Sequence, residues 1–136
     1  MQSFDYVSVG DGLPLAPIID VKIAPPNWID KTGEYQTQAF LDTGSDCTLI
    51  PLEIISSLEL QIVDTQVEIT GVAGGRVDGY ACYANIWLGK KCFQAVRVYG
   101  CISESLDNRV LIGRDVLNQC RIEFDGIKSQ LKITFD

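Results

Sequence analysis

Apolar and polar residues alternate along most of the chain, which is the pattern of β-strands that bury one face. Two short, continuously apolar runs, Cys47–Ile50 and Val110–Gly113, predict further strands that are buried on both faces. The predicted alternating strands are Phe4–Val9, Ile18–Ala24, Tyr35–Leu41, Thr65–Thr70, Arg76–Leu88, Cys92–Gly100, Cys120–Asp125 and Gln130–Phe135.

Two short segments predict helices instead. Pro51–Leu58 begins with a proline, which suits the first helical turn, and Glu53 suits the positive end of the helix dipole. Arg114–Gln119 is long enough for one or two helical turns. A glycine-rich tip, Gly71–Gly75, joins two strands into a hairpin, and Pro25–Glu34 is a long loop. The pattern therefore predicts a mostly β fold with one or two short helices.

Length and composition limit the class of protein. The 136 residues suit one domain, and 46% hydrophobic with 21% charged residues indicates a globular chain. We expect a single domain over 1–136, with about residues 1–14 as an N-terminal extension. The net charge of −7 and the absence of a basic stripe argue against a nucleic-acid partner. No apolar run approaches the ~20 residues of a membrane span, and no secretory signal pattern occurs near the N-terminus.

Cysteine and histidine usage limits the chemistry. The five cysteines are odd in number and form no C-x-x-C motif, so we expect a reduced, cytoplasmic chain with structural thiols, although one cross-link is possible. The chain contains no histidine, which excludes Ser-His-Asp and Cys-His sites and any zinc site that needs histidine. Hydrolytic chemistry would have to come from carboxylate, lysine, tyrosine or cysteine side chains. The cysteines are Cys47, Cys82, Cys92, Cys101 and Cys120.

One carboxylate stands out against this background. In "AFLDTGSDCTLIP", Asp42 opens a D-T-G-S turn between two apolar runs. Asp, Thr and Gly are ordinary turn residues, so this triplet alone is compatible with a simple connection between two strands. The glycine-tipped hairpin at Gly71–Gly75 and the segment "VLIGRDVL" at Val110–Leu117 follow it in the chain.

With these three features in this order, the chain resembles the retropepsin-like aspartic proteases from about Leu15 to Phe135. The resemblance implies a single-lobe, closed β-barrel with one or two short helices, which pairs as a two-fold homodimer. It also implies an aspartic endopeptidase that cleaves polypeptides without a metal or other cofactor. The alternative is a catalytically silent dimeric module on the same fold that binds peptides or acts as a scaffold.

The resemblance implies how such a site works. Asp42 of each chain would meet at the two-fold axis, and two carboxylates a few Å apart share one proton because both cannot ionise cheaply. The pair would activate a water, and a flap around Gly71–Gly75 would close over the substrate. Thr43 would lock the two turns together, and Gly44 would allow a close backbone approach.

The resemblance also assigns the remaining positions. We expect the Ser45 hydroxyl to donate to the Asp42 carboxylate, and Asp46 to form an ion pair with Arg114 that braces the turn. Two exposed charges are the alternative for that pair. Ile112, Gly113 and Arg114 would support the site. The substrate-binding positions would be Ser45, Asp46, Cys47, Val72, Ala73, Gly74, Gly75, Arg109 and Leu111.

Overall fold

The computed structural model describes residues 1–26, 33–72, 75–106 and 108–135. Most of the predicted loop at Pro25–Glu34, and Ala73 and Gly74 of the predicted flap tip, lie outside the described residues. Within the described residues the chain forms ten strands, two α-helices and one 3₁₀ turn. They are β1 (Gln2–Asp5), β2 (Ile18–Ala24), β3 (Tyr35–Leu41), β4 (Thr48–Pro51), α1 (Leu52–Leu58), β5 (Ile62–Val72), β6 (Gly75–Leu88), β7 (Lys91–Cys101), the 3₁₀ turn (Ser103–Leu106), β8 (Val110–Ile112), α2 (Arg114–Leu117), β9 (Arg121–Asp125) and β10 (Gln130–Thr134).

Six of these strands close into a barrel. The order around it is β2, β3, β8, β4, β7 and β6, and β6 pairs back onto β2 from Val21 opposite Leu88 to Ala24 opposite Asn85. Strand β5 pairs with β6 alone and forms a hairpin that extends from the barrel. The prediction of a mostly β, single-lobe closed barrel with two short helices is confirmed.

Alternation in the sequence explains the barrel interior. In β2, Val21 and Ile23 are buried, while Asp20 and Lys22 are exposed. Burying an aliphatic side chain of this size contributes about 1.5–3 kcal/mol to folding relative to leaving it exposed. The other barrel strands likewise direct apolar side chains into the interior. The largest fully buried side chains of the whole chain, including those from the helices and from β10, are Ile18, Ile23, Ile50, Ile54, Ile86, Leu88, Val98, Val110, Ile112, Val116, Leu131 and Ile133.

The two ends of the chain meet in a separate sheet. Strands β1, β10 and β9 form an antiparallel sheet of order β1-β10-β9, in which Gln2 lies opposite Ile133. Leu131 and Ile133 of β10 are fully buried, so this sheet packs its inner face against the barrel core. Both terminal strands therefore pair within one chain.

Strands β1 and β5 differ from the sequence prediction at their ends. The first strand is Gln2–Asp5 rather than Phe4–Val9, because its pairing with β10 ends where Asp5 lies opposite Gln130. Beyond that point Tyr6 keeps one backbone hydrogen bond, to Ser129. Val7 keeps only an isolated bridge to Ala16. The β5 strand starts at Ile62, where register shifts disturb the alternation that the prediction used. No described helix is long and apolar enough to cross a membrane.

Candidate active site

Asp42 lies where β3 ends, and backbone hydrogen bonds hold it there. Its N–H donates to the carbonyl oxygen of Ile112 in β8, 2.9 Å away, which continues the parallel pairing of β3 with β8. The N–H of Ser45 donates to the Asp42 carbonyl oxygen over 3.2 Å and closes the turn. Ile112 is fully buried, so the aspartate is anchored to the barrel core through its main chain while its side chain stays partly exposed.

The Asp42 carboxylate is oriented by the glycine two residues after it. The N–H of Gly44 donates to Asp42 Oδ1 across 2.8 Å. A Cβ atom at position 44 would lie 3.1 Å from the same oxygen, which is tighter than nearly all real contacts of that kind. Any larger residue would therefore crowd the carboxylate. Gly44 leaves room for this carboxylate, and the backbone approach expected of Gly44 at the dimer centre stays a prediction.

Arg114 at the start of α2 reaches back to this turn in three ways. Its backbone N–H donates to the carbonyl oxygen of Ser45 over 2.8 Å, and its Nη1 donates to that of Thr43 over 2.8 Å. Its Nη2 forms an ion pair with the carboxylate of Asp46. The predicted pair between Asp46 and Arg114 is thus formed. The same guanidinium also holds the backbone of Thr43, a residue that is exposed.

The prediction for the Ser45 hydroxyl is wrong. Ser45 Oγ donates to the carbonyl oxygen of Cys47 across 2.7 Å, so its only hydrogen is directed away from Asp42. The short turn brings the Cys47 carbonyl within reach of the hydroxyl, as commonly occurs for a serine two residues before its acceptor. Ser45 therefore shapes the turn, and the Asp42 carboxylate receives its local hydrogen bond from the backbone of Gly44.

A hydrogen bond behind the turn, between a buried threonine and a partly exposed aspartate, was not predicted from the sequence. Thr48 is fully buried, and its hydroxyl donates to Asp115 Oδ1 across 2.8 Å. The same hydroxyl oxygen accepts from the N–H of Gly113 over 3.3 Å. A Cβ on Gly113 would collide with the backbone of Cys47. These contacts join β4, the end of β8 and the start of α2; the "GRD" segment contained Asp115 but gave no sign of its partner.

The Asp42 turn opens onto a cleft of about 730 Å³. Of the predicted site residues, it is lined by Asp42, Gly44, Ser45, Asp46, Cys47, Arg109 and Leu111. Thr43, Ile112, Gly113 and Arg114 lie behind or beside it. Val72 pairs with Gly75 near the end of the β5–β6 hairpin, and Gly75 does not line the cleft.

The β5–β6 hairpin contributes a wall that the sequence did not predict. This wall is the part of β5 before the glycine-rich tip. Leu49, Tyr99 and Leu106 add apolar surface from other elements, and they cluster with Ile69 away from the main core. The strand pairing that brings these segments together is long-range, so no local motif marks them. The β5 wall consists of Val67, Glu68, Ile69 and Thr70.

Only some of the carboxylates that line the cleft form ion pairs with arginine. Asp46 pairs with Arg114, and Glu68 pairs with Arg76 across 3.4 Å. Asp42 is the third carboxylate among the described residues that line the cleft, and no ion pair to it occurs there. The described residues also contain no group of three or more His, Cys, Asp and Glu side chains placed to hold a metal ion. The described part of the cleft thus presents one carboxylate, Asp42, without a cationic partner.

Cys47 also lines the cleft but is unsuited to act as a nucleophile. Its pKa is raised by burial first, and then by the negative charges of Asp115 and Asp46. Because the reactive form of cysteine is the thiolate, this environment keeps the thiol protonated and weakly nucleophilic at neutral pH. Asp42 is therefore the side chain of this site that is best placed for acid–base chemistry.

Comparison with known proteins agrees with this geometry. A family model described as retroviral aspartyl protease matches residues 15–125. A retropepsin-like aspartic protease from Rickettsia conorii is similar in structure, with a TM-score of 0.63 and 15% identity over 98% of this chain and 99% of that one. The EIAV protease in complex with the inhibitor HBY-793 has a TM-score of 0.56 and 21% identity over 81% of this chain and 92% of its own. The chain belongs to the retroviral aspartyl protease family.

Proposed function

We propose that this chain is one half of a homodimeric aspartic endopeptidase that cleaves polypeptides. The observation that carries the proposal is Asp42, which among the described cleft residues is the one carboxylate without an ion pair and lies on a turn whose tip is exposed. One carboxylate cannot be both the base and the acid of a hydrolysis at the same moment. A second copy of the chain, related by a two-fold axis through the turn, supplies the missing group.

The paired carboxylates divide the work between them. Two carboxylates a few Å apart hold one proton, because placing two negative charges side by side is costly. The ionised member takes a proton from a water molecule bound between them. The protonated member donates a hydrogen bond to the carbonyl oxygen of the scissile peptide bond and stabilises the oxyanion as it forms. The proton taken from water is then available for the departing amine.

The residues around Asp42 support these steps. The hydrogen bond from the Gly44 N–H to Oδ1 keeps the carboxylate in one orientation, so little reorganisation is needed during the reaction. The guanidinium of Arg114 holds the backbone of the turn by donating to the carbonyl oxygen of Thr43. The exposed Thr43 side chain is free to contact the second turn across the axis. A positioned pair of turns gives the water and the peptide bond a defined geometry.

In this proposal the β5–β6 hairpin is a flap that closes the cleft over a bound peptide. Residues Val67–Thr70 of β5 already form one wall, and an extended substrate fits between this wall and the Asp42 turn. Hairpin closure excludes bulk water and strengthens the electrostatic interactions inside. A peptide in extended form exposes its own N–H and C=O groups to such a strand, which suits a substrate of varied sequence.

The test is cleavage of an unbiased peptide library by the purified chain and by its Asp42→Asn variant. Asparagine nearly preserves the shape of aspartate but cannot accept the proton, so product formation is expected to cease. Asp11→Asn is the matched control, since Asp11 is exposed and distant in sequence from the site. A pepstatin-type inhibitor is expected to block the parent. If Asp42→Asn cleaves as fast as the parent, or if the parent binds peptides and yields no product, the proposal is wrong.

A further inference from the structure

An arginine held between two tyrosines lies beside the cleft. Nε of Arg97 donates to the hydroxyl oxygen of Tyr99, and its Nη1 donates to that of Tyr83, each over 3.1 Å. The guanidinium carbon lies 5.6 Å from the Tyr99 ring centroid and 5.7 Å from that of Tyr83, so the cation also contacts both aromatic rings. Three side chains from β6 and β7 thus form one cluster, which we call the Arg97 cluster.

Strand pairing places the Arg97 cluster at the margin of the cleft. Tyr83 of β6 lies opposite Arg97 of β7, and Tyr99 is two residues further along β7, so the three side chains share one face of the sheet. Tyr99 itself lines the cleft, and its partner in β4 is Leu49, which also lines it. The cluster therefore continues the wall of the cleft away from Asp42.

The hydrogen bonds of the Arg97 cluster leave a surplus of donors. A guanidinium has five N–H groups, and two of these are used within the cluster. Each phenol oxygen accepts from Arg97, so each hydroxyl hydrogen must be directed elsewhere. Among the described residues, no hydrogen bond donated by either hydroxyl and no ion pair of Arg97 occurs. The cluster is a source of N–H and O–H donors with a fixed positive charge.

The charge of the Arg97 cluster contrasts with the rest of the molecule. The chain carries a net charge of −7, and the cleft carboxylates Asp46 and Glu68 are each matched by an arginine. The hydrogen bonds to Tyr83 and Tyr99 raise the pKa of Arg97, which favours the charged form further. An unmatched cation with oriented donors attracts an anionic group, and its planar fork fits a carboxylate.

We propose that Arg97, oriented by Tyr83 and Tyr99, binds an aspartate or glutamate side chain of the substrate, about four residues from the scissile bond. This inference rests on the proposed proteolytic function. Strand β7 is the third strand across from β3, which leads to Asp42, and at about 4.8 Å per strand the separation is roughly 14 Å. An extended peptide covers that distance in about four residues. In a two-fold dimer the same cluster lies at both ends of the cleft.

The experiment compares cleavage profiles of a randomised peptide library for the parent and for Arg97→Gln. The parent is expected to enrich Asp and Glu about four residues from the cleavage point, by roughly fivefold, as for a partly exposed ion pair. Arg97→Gln is expected to lose this enrichment. Arg121→Gln, which removes an exposed arginine from β9, is the matched control and keeps the enrichment.

A second arm separates failure of this inference from failure of the proposed function. Asp42→Asn protein is immobilised, and two synthetic peptide pools that differ only in Glu or Gln at the fourth position from the centre are passed over it. Retention of the Glu pool is expected to exceed that of the Gln pool, and the excess to vanish in Asp42→Asn/Arg97→Gln. Equal retention of the two pools, or acidic enrichment that persists in Arg97→Gln, overturns the role of Arg97. Absence of all cleavage with a retained Glu preference overturns the proteolytic function instead.

Discussion

The guanidinium of Arg114 donates a hydrogen bond to the carbonyl oxygen of Thr43 across 2.8 Å, although the two residues are 71 positions apart. This bond ties the first turn of α2 to the residue that follows Asp42. The side chain of Arg114 also pairs with Asp46, and its backbone N–H donates to the carbonyl oxygen of Ser45. One arginine therefore contacts the turn on both sides of Gly44, and we expect the geometry of the turn to depend on it.

Replacing Arg114 by alanine is expected to reduce catalysis more than stability. The side chain of Arg114 is 41% exposed and that of Asp46 is 88% exposed, so their ion pair contributes less than about 1 kcal/mol to folding. Loss of the bond to Thr43 instead frees the turn that orients Asp42, and misplacement of a reacting group by about 1 Å can cost roughly 100-fold in rate. The measurements are kcat/KM on a cleaved peptide and the melting temperature.

Arg114→Lys is the matched variant for this prediction, because it keeps the charge but cannot bind Thr43 and Asp46 with one planar fork. We expect its activity to fall between that of the parent and that of Arg114→Ala. Unchanged kcat/KM in Arg114→Ala would show that the turn holds its shape without the arginine. A large loss of stability would show that the pair is more shielded from solvent than the structure indicates.

For Thr48, whose hydroxyl is buried, we expect substitution to reduce stability more than catalysis. Thr48→Val keeps the shape of the side chain but removes the donor to Asp115 and the acceptor for Gly113. The free energy of unfolding is expected to fall by about 1–3 kcal/mol, because the buried N–H of Gly113 is left without its acceptor. Ser56→Ala, at an exposed helical position, is the control and is expected to change it little. Urea unfolding with an unchanged m-value checks this; equal midpoints for Thr48→Val and the parent would refute it.

Two buried thiols predict a loss of stability at high pH. Burial raises the pKa of Cys82 and that of Cys101 from 9.0 to about 11. The unfolded chain therefore releases these protons near pH 9, while the folded chain keeps them up to about pH 11. Because the unfolded state binds fewer protons in this window, the free energy of unfolding falls as pH rises from 9 to 11. Below pH 9 both states hold the protons, and this contribution does not change.

The measurement is the urea midpoint between pH 8 and pH 11 for the parent and for the double variant Cys82→Ala/Cys101→Ala. Lysine and tyrosine titrate in the same range but are common to both proteins, so the difference in slope isolates the thiols. The double variant is expected to show the shallower decline above pH 9. Parallel curves for the two proteins would mean that the thiols ionise equally in the folded and unfolded chain.

Local pattern was enough to predict the barrel strands whose alternation is uninterrupted. The bounds of Ile18–Ala24 and Tyr35–Leu41 match β2 and β3, because apolar residues indicate one face of each strand and polar residues the other. At β1 and β5 the limits are set by partners and by register shifts, which a single sequence does not display. The 3₁₀ turn at Ser103–Leu106 was likewise not predicted.

The candidate site shows the same division between local and long-range information. The D-T-G-S and G-R-D segments pointed to Asp42, Asp46 and Arg114, whose contacts the structure brings together. The direction of the Ser45 hydroxyl depended on which acceptor the turn places nearest, and this was missed. The Arg97 cluster needed the register between β6 and β7, which no motif encodes.

The central claim is that one chain supplies half of an active site, and mixed dimers test it most directly. Parent and Asp42→Asn chains are unfolded in urea, combined in equal amounts and refolded together, so that they pair at random. Proteolytic activity per total protein is then compared with that of parent chains refolded alone at the same concentration. If each site needs Asp42 from both chains, activity is expected to fall to about one quarter, because only that fraction of random dimers has two parental chains. A value of about one half would mean that each chain acts by itself and would contradict the account.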